Sequence, residues 1–289
     1  WLNEKKRYFI ISADYDGAIC ASFLKHYLQW NLVGYYNFNS IWLSQKALDN
    51  KKELIWVDLN ILPLSSRSIG GQIVSFKHET PQGFKTSCNA NILANITNEN
   101  FNHKFPFSTL LFLMWVHNID FKMSDIGRLL ILNSDNTWMK IQKYSDNVNW
   151  WKTLLLDYNW DRLFYNVDSE IYESQIDQHL YPKLKYIDAI SGYSKLTSKY
   201  LKIKSRESIF NPDWDIDIIL KLFDLFAMHL NWTPPNLPNI IKRIEGKRYK
   251  YPINHVKAVG LNTFIKKNKV FSYAITNPSN LNYTNFKLL

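Results

Sequence analysis

The strongest constraint on the fold is a pattern in the first 80 residues, where short apolar runs end in acidic or polar residues. Tyr8–Ser12 precedes the turn Asp14-Tyr-Asp-Gly, residues 53–58 end in an acid, and residues 72–76 lead into Lys77-His-Glu. Buried runs of this length are typical of parallel strands, and the residues after the first acidic turn recur at helical spacing. The pattern predicts an α/β fold with a parallel-sheet N-terminal domain, whose ligands bind at the carboxyl ends of the strands.

The rest of the chain is predicted to be more helical. Helices are expected over residues 108–118 and 217–230, and two or three helices rich in Trp and Tyr over residues 148–190. A fourth apolar run, 128–133, is treated as a strand leading to Asp135, and 270–275 is predicted to be a strand. The polar stretch 195–214 is the predicted linker. We therefore expect an N-terminal domain over 1–194 and a smaller α+β C-terminal cap over 215–289.

The net charge of +10 is distributed unevenly along the chain. Residues 1–194 carry 19 basic and 19 acidic side chains, whereas residues 240–289 carry ten basic side chains and one acid, Glu245. Cations interleaved with tyrosines are typical of single-strand nucleic-acid surfaces, and the alternative is a solvated basic face. The predicted nucleic-acid-binding residues are Lys242, Arg243, Lys247, Arg248, Lys250, Lys266 and Lys267.

Two cysteines exclude a disulfide framework and a four-cysteine zinc site. We therefore expect a reducing compartment, the cytoplasm or another intracellular one. No apolar run reaches the roughly 18 residues that a membrane helix needs, so no membrane partner is expected.

Five side chains follow the predicted strands or end them: Asp14, Asp16, Asp58, His78 and Asp135. If the strands are parallel neighbours, these groups converge on one sheet edge, where four carboxylates repel one another unless cations are present. Oxygen-rich sites with one His suit Mn²⁺ or Mg²⁺, and a pair of such ions activates water against a phosphoryl group. The alternative for each acid alone is a helix cap or a turn residue.

The same segments resemble the DHH phosphoesterase superfamily, in particular its RecJ-like and oligoribonuclease-like members. Residues 9–18 resemble the first motif, HxDxDG after a strand, and residues 55–58 resemble the second. Residues 73–81 lie where the motif DHHxP is expected, and Asp135 matches the acid of the fourth motif. The resemblance covers roughly residues 8–140.

The resemblance implies two metal ions held by Asp14, Asp16, Asp58, His78 and Asp135, with Asp58 bridging the ions. It further implies an enzyme that hydrolyses phosphodiesters in single-stranded nucleic acid or in small (di)nucleotides.

Three positions depart from the family pattern. Ser12 replaces the first-motif His, Lys77 replaces the Asp of DHH, and Glu79 replaces its second His. The Gly-Gly-His signature of the usual C-terminal partner domain is also missing from the sequence. We expect Asp58, His78, Glu79 and Lys77 to act in catalysis, with Lys77 holding a phosphate. The alternative is a catalytically degenerate relative that binds nucleic acid or serves as a subunit of a larger assembly.

Overall fold

A computed structural model describes residues 1–59, 67–76, 79–119, 124–277 and 279–286. Its strands are β1 (Tyr8–Ser12), β2 (Asn31–Tyr36), β3 (Ser40–Ser44), β4 (Ile55–Val57), β5 (Arg67–Gly70), β6 (Cys88–Asn89), β7 (Gly192–Thr197), β8 (Lys204–Glu207), β9 (Ile240–Pro252), β10 (Ser272–Asn277) and β11 (Asn280–Phe286).

The α-helices are α1 (Tyr15–Leu28), α2 (Gln45–Asp49), α3 (Ala90–Leu93), α4 (Thr109–Val116), α5 (Asp125–Asn133), α6 (Thr137–Lys143), α7 (Ser145–Leu154), α8 (Trp160–Phe164), α9 (Glu170–Gln175), α10 (Tyr181–Tyr186), α11 (Ile216–Leu230), α12 (Ile253–Val259) and α13 (Leu261–Lys267). A π-helical turn, Ile176–Leu180, joins α9 to α10.

The chain divides into two compact units. Unit 1 comprises residues 1–12, 28–105 and 236–289, and unit 2 comprises residues 13–27 and 106–235. These boundaries differ from the predicted domains 1–194 and 215–289, because helix α11 belongs to unit 2 and the strands after it belong to unit 1.

The described residues of unit 1 form a nine-stranded sheet in the order β10-β11-β9-β3-β2-β1-β4-β5-β6. Strand β1 pairs in parallel with β2 and β4, and the parallel part continues through β5 to β6. The remaining strands pair antiparallel. The prediction of an α/β fold with a parallel sheet is thus confirmed, and the complete sheet is mixed.

Large apolar side chains explain why these strands form a stable sheet. Phe9, Ile10 and Ile11 of β1 are fully buried, as expected for a central strand covered on both faces. Tyr36 and Phe271 belong to a core cluster that extends to the C-terminal strands. The Tyr36 hydroxyl lies 3.2 Å from Ser272 Oγ and 3.1 Å from Thr284 Oγ1, so this buried polar group is satisfied.

The long strand β9 integrates the C-terminal segment into the main sheet. Its first half pairs with β3 and its second half pairs with β11. Gly246 marks the change of partner, and a Cβ there would lie 2.4 Å from the Phe286 ring. The basic residues predicted as a separate cap are therefore part of the sheet of unit 1.

Unit 2 is mainly helical and also contains the two-stranded antiparallel sheet β7–β8. Tyr15, in the first turn of α1, donates its hydroxyl to the carbonyl of Leu130 at 2.7 Å and contacts Phe226 edge to face, with ring centroids 5.3 Å apart. This side chain joins α1 to α5 and α11. Helix α11 is amphipathic, as predicted, because Ile219, Leu222, Phe223 and Phe226 recur on its buried face.

Three sequence-based expectations are wrong at the level of the element. Residues 73–76 are buried, but Ser75 and Phe76 pair only through isolated bridges, and the strand precedes this segment as β5. Residues 128–133 belong to helix α5, because a short apolar run suits a buried helix as well as a strand. The predicted linker 195–214 contains the end of β7 and all of β8, which pair as an antiparallel hairpin, and the side chains of β7 alternate between half-buried and exposed.

Candidate functional site

Asp14 lies where β1 gives way to α1, as predicted. Its Oδ1 accepts a hydrogen bond from the N–H of Gly17 at 2.9 Å, which is the geometry of a helix N-cap. Its backbone also bridges to Ile209, and the N–H of Tyr15 donates to the carbonyl of Ser208 at 2.8 Å. The start of α1 is therefore fixed by the side chain of Asp14 and by the segment after β8.

Asp16 and Asp135 lie together in unit 2. Asp16 Oδ1 accepts a short hydrogen bond from the N–H of Asp135, and Lys140 Nζ donates to Asp135 Oδ2 at 2.6 Å. Asp135 adopts a left-handed conformation, with φ of 48°, which Asp tolerates better than most residues. The structure thus juxtaposes Asp16 and Asp135 as predicted, although Asp135 follows helix α5 rather than a strand.

These acids border a cavity of about 330 Å³ in unit 2. Its charged lining residues are Asp14, Asp16, Asp135, Lys140, Arg206 and Glu207. Burial, and secondly the negative charge of Asp16, raises the pKa of Tyr15 well above its ordinary value of 10, so this phenol stays neutral. The cavity combines carboxylates with two cations, which suits a ligand that carries both hydrogen-bond donors and negative charge.

Asp58 lies in unit 1 at the end of β4, beside the end of the parallel strand β1. Ser12 Oγ donates to Asp58 Oδ2 at 2.8 Å, so the side chains at the ends of β1 and β4 are in contact. Asp58 also has a positive φ of 60°. The contact between Ser12 and Asp58 joins the ends of two neighbouring parallel strands.

Glu79 is engaged by helix α13 of the same unit. Its two carboxylate oxygens accept the N–H groups of Leu261 at 2.6 Å and Asn262 at 2.7 Å. A carboxylate at a helix N-terminus satisfies free N–H groups and interacts favourably with the helix dipole. Lys77 and His78 lie outside the described residues.

The carboxylates of the predicted Mn²⁺ or Mg²⁺ site make contacts within the protein. No group of three or more His, Cys, Asp or Glu side chains is arranged to hold a metal ion in the described part of the chain. Asp14 caps a helix, Asp16 accepts a backbone N–H, and the ammonium group of Lys140 already neutralises Asp135. Each of these three carboxylates thus already has a hydrogen-bond or ion-pair partner within unit 2.

The predicted nucleic-acid-binding residues lie on β9 and α13 of unit 1. Tyr249 stacks on Tyr283, with ring centroids 5.0 Å apart and planes at 19°. The guanidinium of Arg248 lies 4.7 Å from the ring centre of Phe38, which is 46% exposed. Arg243 forms an ion pair with Glu245 at 2.7 Å. Lys266 and Lys267 lie exposed in the last turn of α13.

Sequence reasoning missed Lys140 and Arg206, the two cations of the acidic cavity. Lys140 follows Asp135 by five residues, and this spacing places both residues near the start of helix α6. The spacing was the one feature of the sequence that could have indicated their ion pair. Arg206 lies in the segment predicted as a linker, so its pairing with Tyr193 across β7 and β8 could not be anticipated.

Comparison of the chain with protein-family models, with curated proteins and with solved structures finds no match. Within the described ranges, no helix combines the length and the apolar character that crossing a bilayer requires.

Proposed function

We propose that this protein binds single-stranded nucleic acid along the basic surface formed by β9. The supporting observation is the charge of unit 1, which contains 20 Lys and Arg residues against seven Asp and Glu, hence +13. Unit 2 contains 15 basic and 18 acidic residues, hence −3. A field of this sign attracts polyphosphate chains, and the cations that contact phosphates release counterions on binding.

The details of β9 support single strands as the ligand. Lys247, Arg248 and Lys250 are exposed, and no described carboxylate forms an ion pair with them. Tyr249 is 40% exposed and shares one face of β9 with Lys247, whereas Arg248 and Lys250 lie on the opposite face. Exposed aromatic rings between cations allow unpaired bases to stack while the phosphates are neutralised. This combination favours unpaired over paired strands.

The experiment compares oligonucleotide binding by two triple variants of the full chain. We expect Lys247→Gln, Arg248→Gln and Lys250→Gln together to weaken binding of a fluorescent single-stranded oligonucleotide by about tenfold or more, measured by anisotropy. The matched control, Lys195→Gln, Lys202→Gln and Lys204→Gln, removes the same charge from exposed positions of unit 2. Equal losses in the two variants would show that binding follows net charge and not this surface.

A second candidate function is the metal-dependent phosphoester hydrolysis implied by the family resemblance. The cavity that brings Asp14, Asp16 and Asp135 together beside Arg206 favours it. With Mn²⁺ present, the protein would release mononucleotides from a short oligonucleotide or cleave a dinucleotide. We expect Asp16→Asn and Asp58→Ala each to reduce the rate by more than about 100-fold, whereas the exposed Asp146→Asn leaves it unchanged. Turnover that survives both substitutions would reject this candidate.

A further inference from the structure

A second cavity of unit 2, of about 580 Å³, has chemistry different from that of the acidic cavity. It is lined by Asp177, Tyr181, Pro182, Lys185, Ile190, Ser191, Gly192, Tyr193 and Arg206. Arg206 lines this cavity and the acidic one. Cavities of about 300–1,000 Å³ with apolar walls and a few polar groups are typical of small-ligand sites.

Arg206 is held between two aromatic rings. It lies directly opposite Tyr193 across β7 and β8, with its guanidinium carbon 4.4 Å from the ring centre of Tyr193 and 5.1 Å from that of Tyr181. Tyr181 is buried, and burial raises its pKa, so this ring stays a neutral phenol beside the cation. Aromatic contacts on the faces of a guanidinium fix the orientation of its plane, and its N–H groups then point away from the rings.

The guanidinium of Arg206 has an unsatisfied hydrogen-bond donor among the described residues of unit 2. Its Nε is buried and has no hydrogen-bond partner among the described residues, and none of their carboxylates forms an ion pair with it. A buried, unsatisfied donor on a charged group costs free energy that a bound acceptor recovers. Lys185 adds a second cation to the lining, against the single acid Asp177. This lining therefore selects an anion.

The cavity also offers apolar surface for a planar group. Tyr193 is 60% exposed despite its contact with Arg206, and Pro182 and Ile190 supply further apolar wall. Phosphate oxygens match the fork of a guanidinium in two parallel hydrogen bonds, and a base stacks on an exposed tyrosine. A ligand with a phosphate and a planar ring satisfies both features, which neither free phosphate nor a nucleoside does.

We propose that this cavity binds a nucleoside monophosphate, with its phosphate on Arg206 and its base against Tyr193. The site lies in unit 2 and does not depend on the β9 surface or on hydrolysis. Titration calorimetry of the full chain with adenosine 5′-monophosphate, adenosine, ribose 5-phosphate and inorganic phosphate tests it. We expect the nucleotide to bind at least about tenfold more tightly than any of its parts. Equal affinity for all four compounds, or no binding of the nucleotide, would overturn the proposal.

Substitutions separate binding from a structural role of Arg206. We expect Arg206→Gln to weaken nucleotide binding by about tenfold or more and Arg206→Lys to restore part of it. Lys204→Gln removes an exposed charge from the same strand without touching the cavity and should bind as the unaltered protein does.

Tyr193→Phe should retain binding, whereas Tyr193→Ser should abolish the preference for the nucleotide over ribose 5-phosphate. Unchanged nucleotide affinity in Arg206→Gln contradicts the proposal. If that variant does not fold, Tyr193→Ser provides the test, and a retained preference for the nucleotide over ribose 5-phosphate contradicts the proposal.

Discussion

Glu173 is a fully buried carboxylate that hydrogen bonds within unit 2 keep in its charged form. Ser198 Oγ donates to it at 2.6 Å, and the N–H groups of Tyr200 and Leu201 donate at 2.9 and 2.6 Å. Burial alone would raise the pKa of Glu173, but these hydrogen bonds outweigh it and hold the pKa below the ordinary value of 4.5. A carboxyl group with a lowered pKa in the folded state stabilises the protein above its unfolded pKa and loses that contribution as the pH falls.

We expect Glu173→Gln to lower the free energy of unfolding by roughly 2 kcal/mol at pH 7, because hydrogen bonds to a charged acceptor are lost. The difference from the unaltered protein should shrink as the pH falls below 4.5 and vanish below the lowered pKa of Glu173, where the folded protein is protonated as well. Urea unfolding at pH 7 and in that acid range measures both effects. Glu170→Gln, an exposed acid on the same helix, is the control and should change stability little. A difference that is constant with pH would refute the role of the charged form.

At the residue scale, the sequence predicted which side chains lie together better than it predicted the secondary structure that places them there. Asp16 and Asp135 do lie together, yet the contact arises at the start of a helix rather than at a strand end. Ser12 meets Asp58 because β1 and β4 are parallel neighbours, which the pattern of apolar runs predicted. The capping of α13 by Glu79 depends on residues about 180 positions away, and no local pattern encodes such a contact.

At the scale of the element, the start of helix α1 provides a test of the role of Asp14. We expect Asp14→Ala to destabilise the protein by about 1 kcal/mol, the usual cost of losing an N-cap, and Asp14→Asn to cost much less. Thermal or urea unfolding of the two variants gives the comparison. If Asp14→Asn were as destabilising as Asp14→Ala, the negative charge and not the cap would be the important property.

Helix α11 supplies a second test, through its buried face. We expect Phe226→Ala to cost roughly 3–5 kcal/mol, because it creates a cavity and removes the edge contact with Tyr15. Met228 is 76% exposed on the same helix, and Met228→Ala should change stability by less than about 0.5 kcal/mol. Similar losses for both substitutions, measured by urea unfolding, would argue against the assigned buried face.

Elements with a strong period were predictable, and short ones were not. Helix α11 repeats its apolar residues over four turns, so its limits could be predicted to within one residue. The segment 72–76 has the composition of a strand, but Ser75 and Phe76 pair through isolated bridges to Thr97 and Glu79, and such pairing depends on tertiary contacts. Hairpin β7–β8 is short and polar, so its composition indicated a linker.

At the scale of the whole molecule, the two units carry charges of opposite sign. A division along the sequence gives a neutral N-terminal part, residues 1–194, and a basic C-terminal part. A division into compact units gives net charges of +13 for unit 1 and −3 for unit 2. The difference arises because residues 236–289 belong to unit 1. The cations of the N-terminal segments of that unit add to the positive charge of residues 236–289. A polyanion should therefore be attracted to unit 1, and a small anion to the local cation Arg206 in unit 2.

The salt dependence of binding tests this separation in the intact chain. For single strands, the slope of log K against log salt concentration is about −0.7 for each phosphate neutralised. We expect the triple substitution of Lys247, Arg248 and Lys250 to make the oligonucleotide slope shallower by about 2, because three phosphate contacts are lost. The same variant should bind adenosine 5′-monophosphate with unchanged affinity, since none of the three residues lines that cavity. Anisotropy titrations across a salt series measure the slope, and an unaltered slope would place the phosphate contacts elsewhere on the protein.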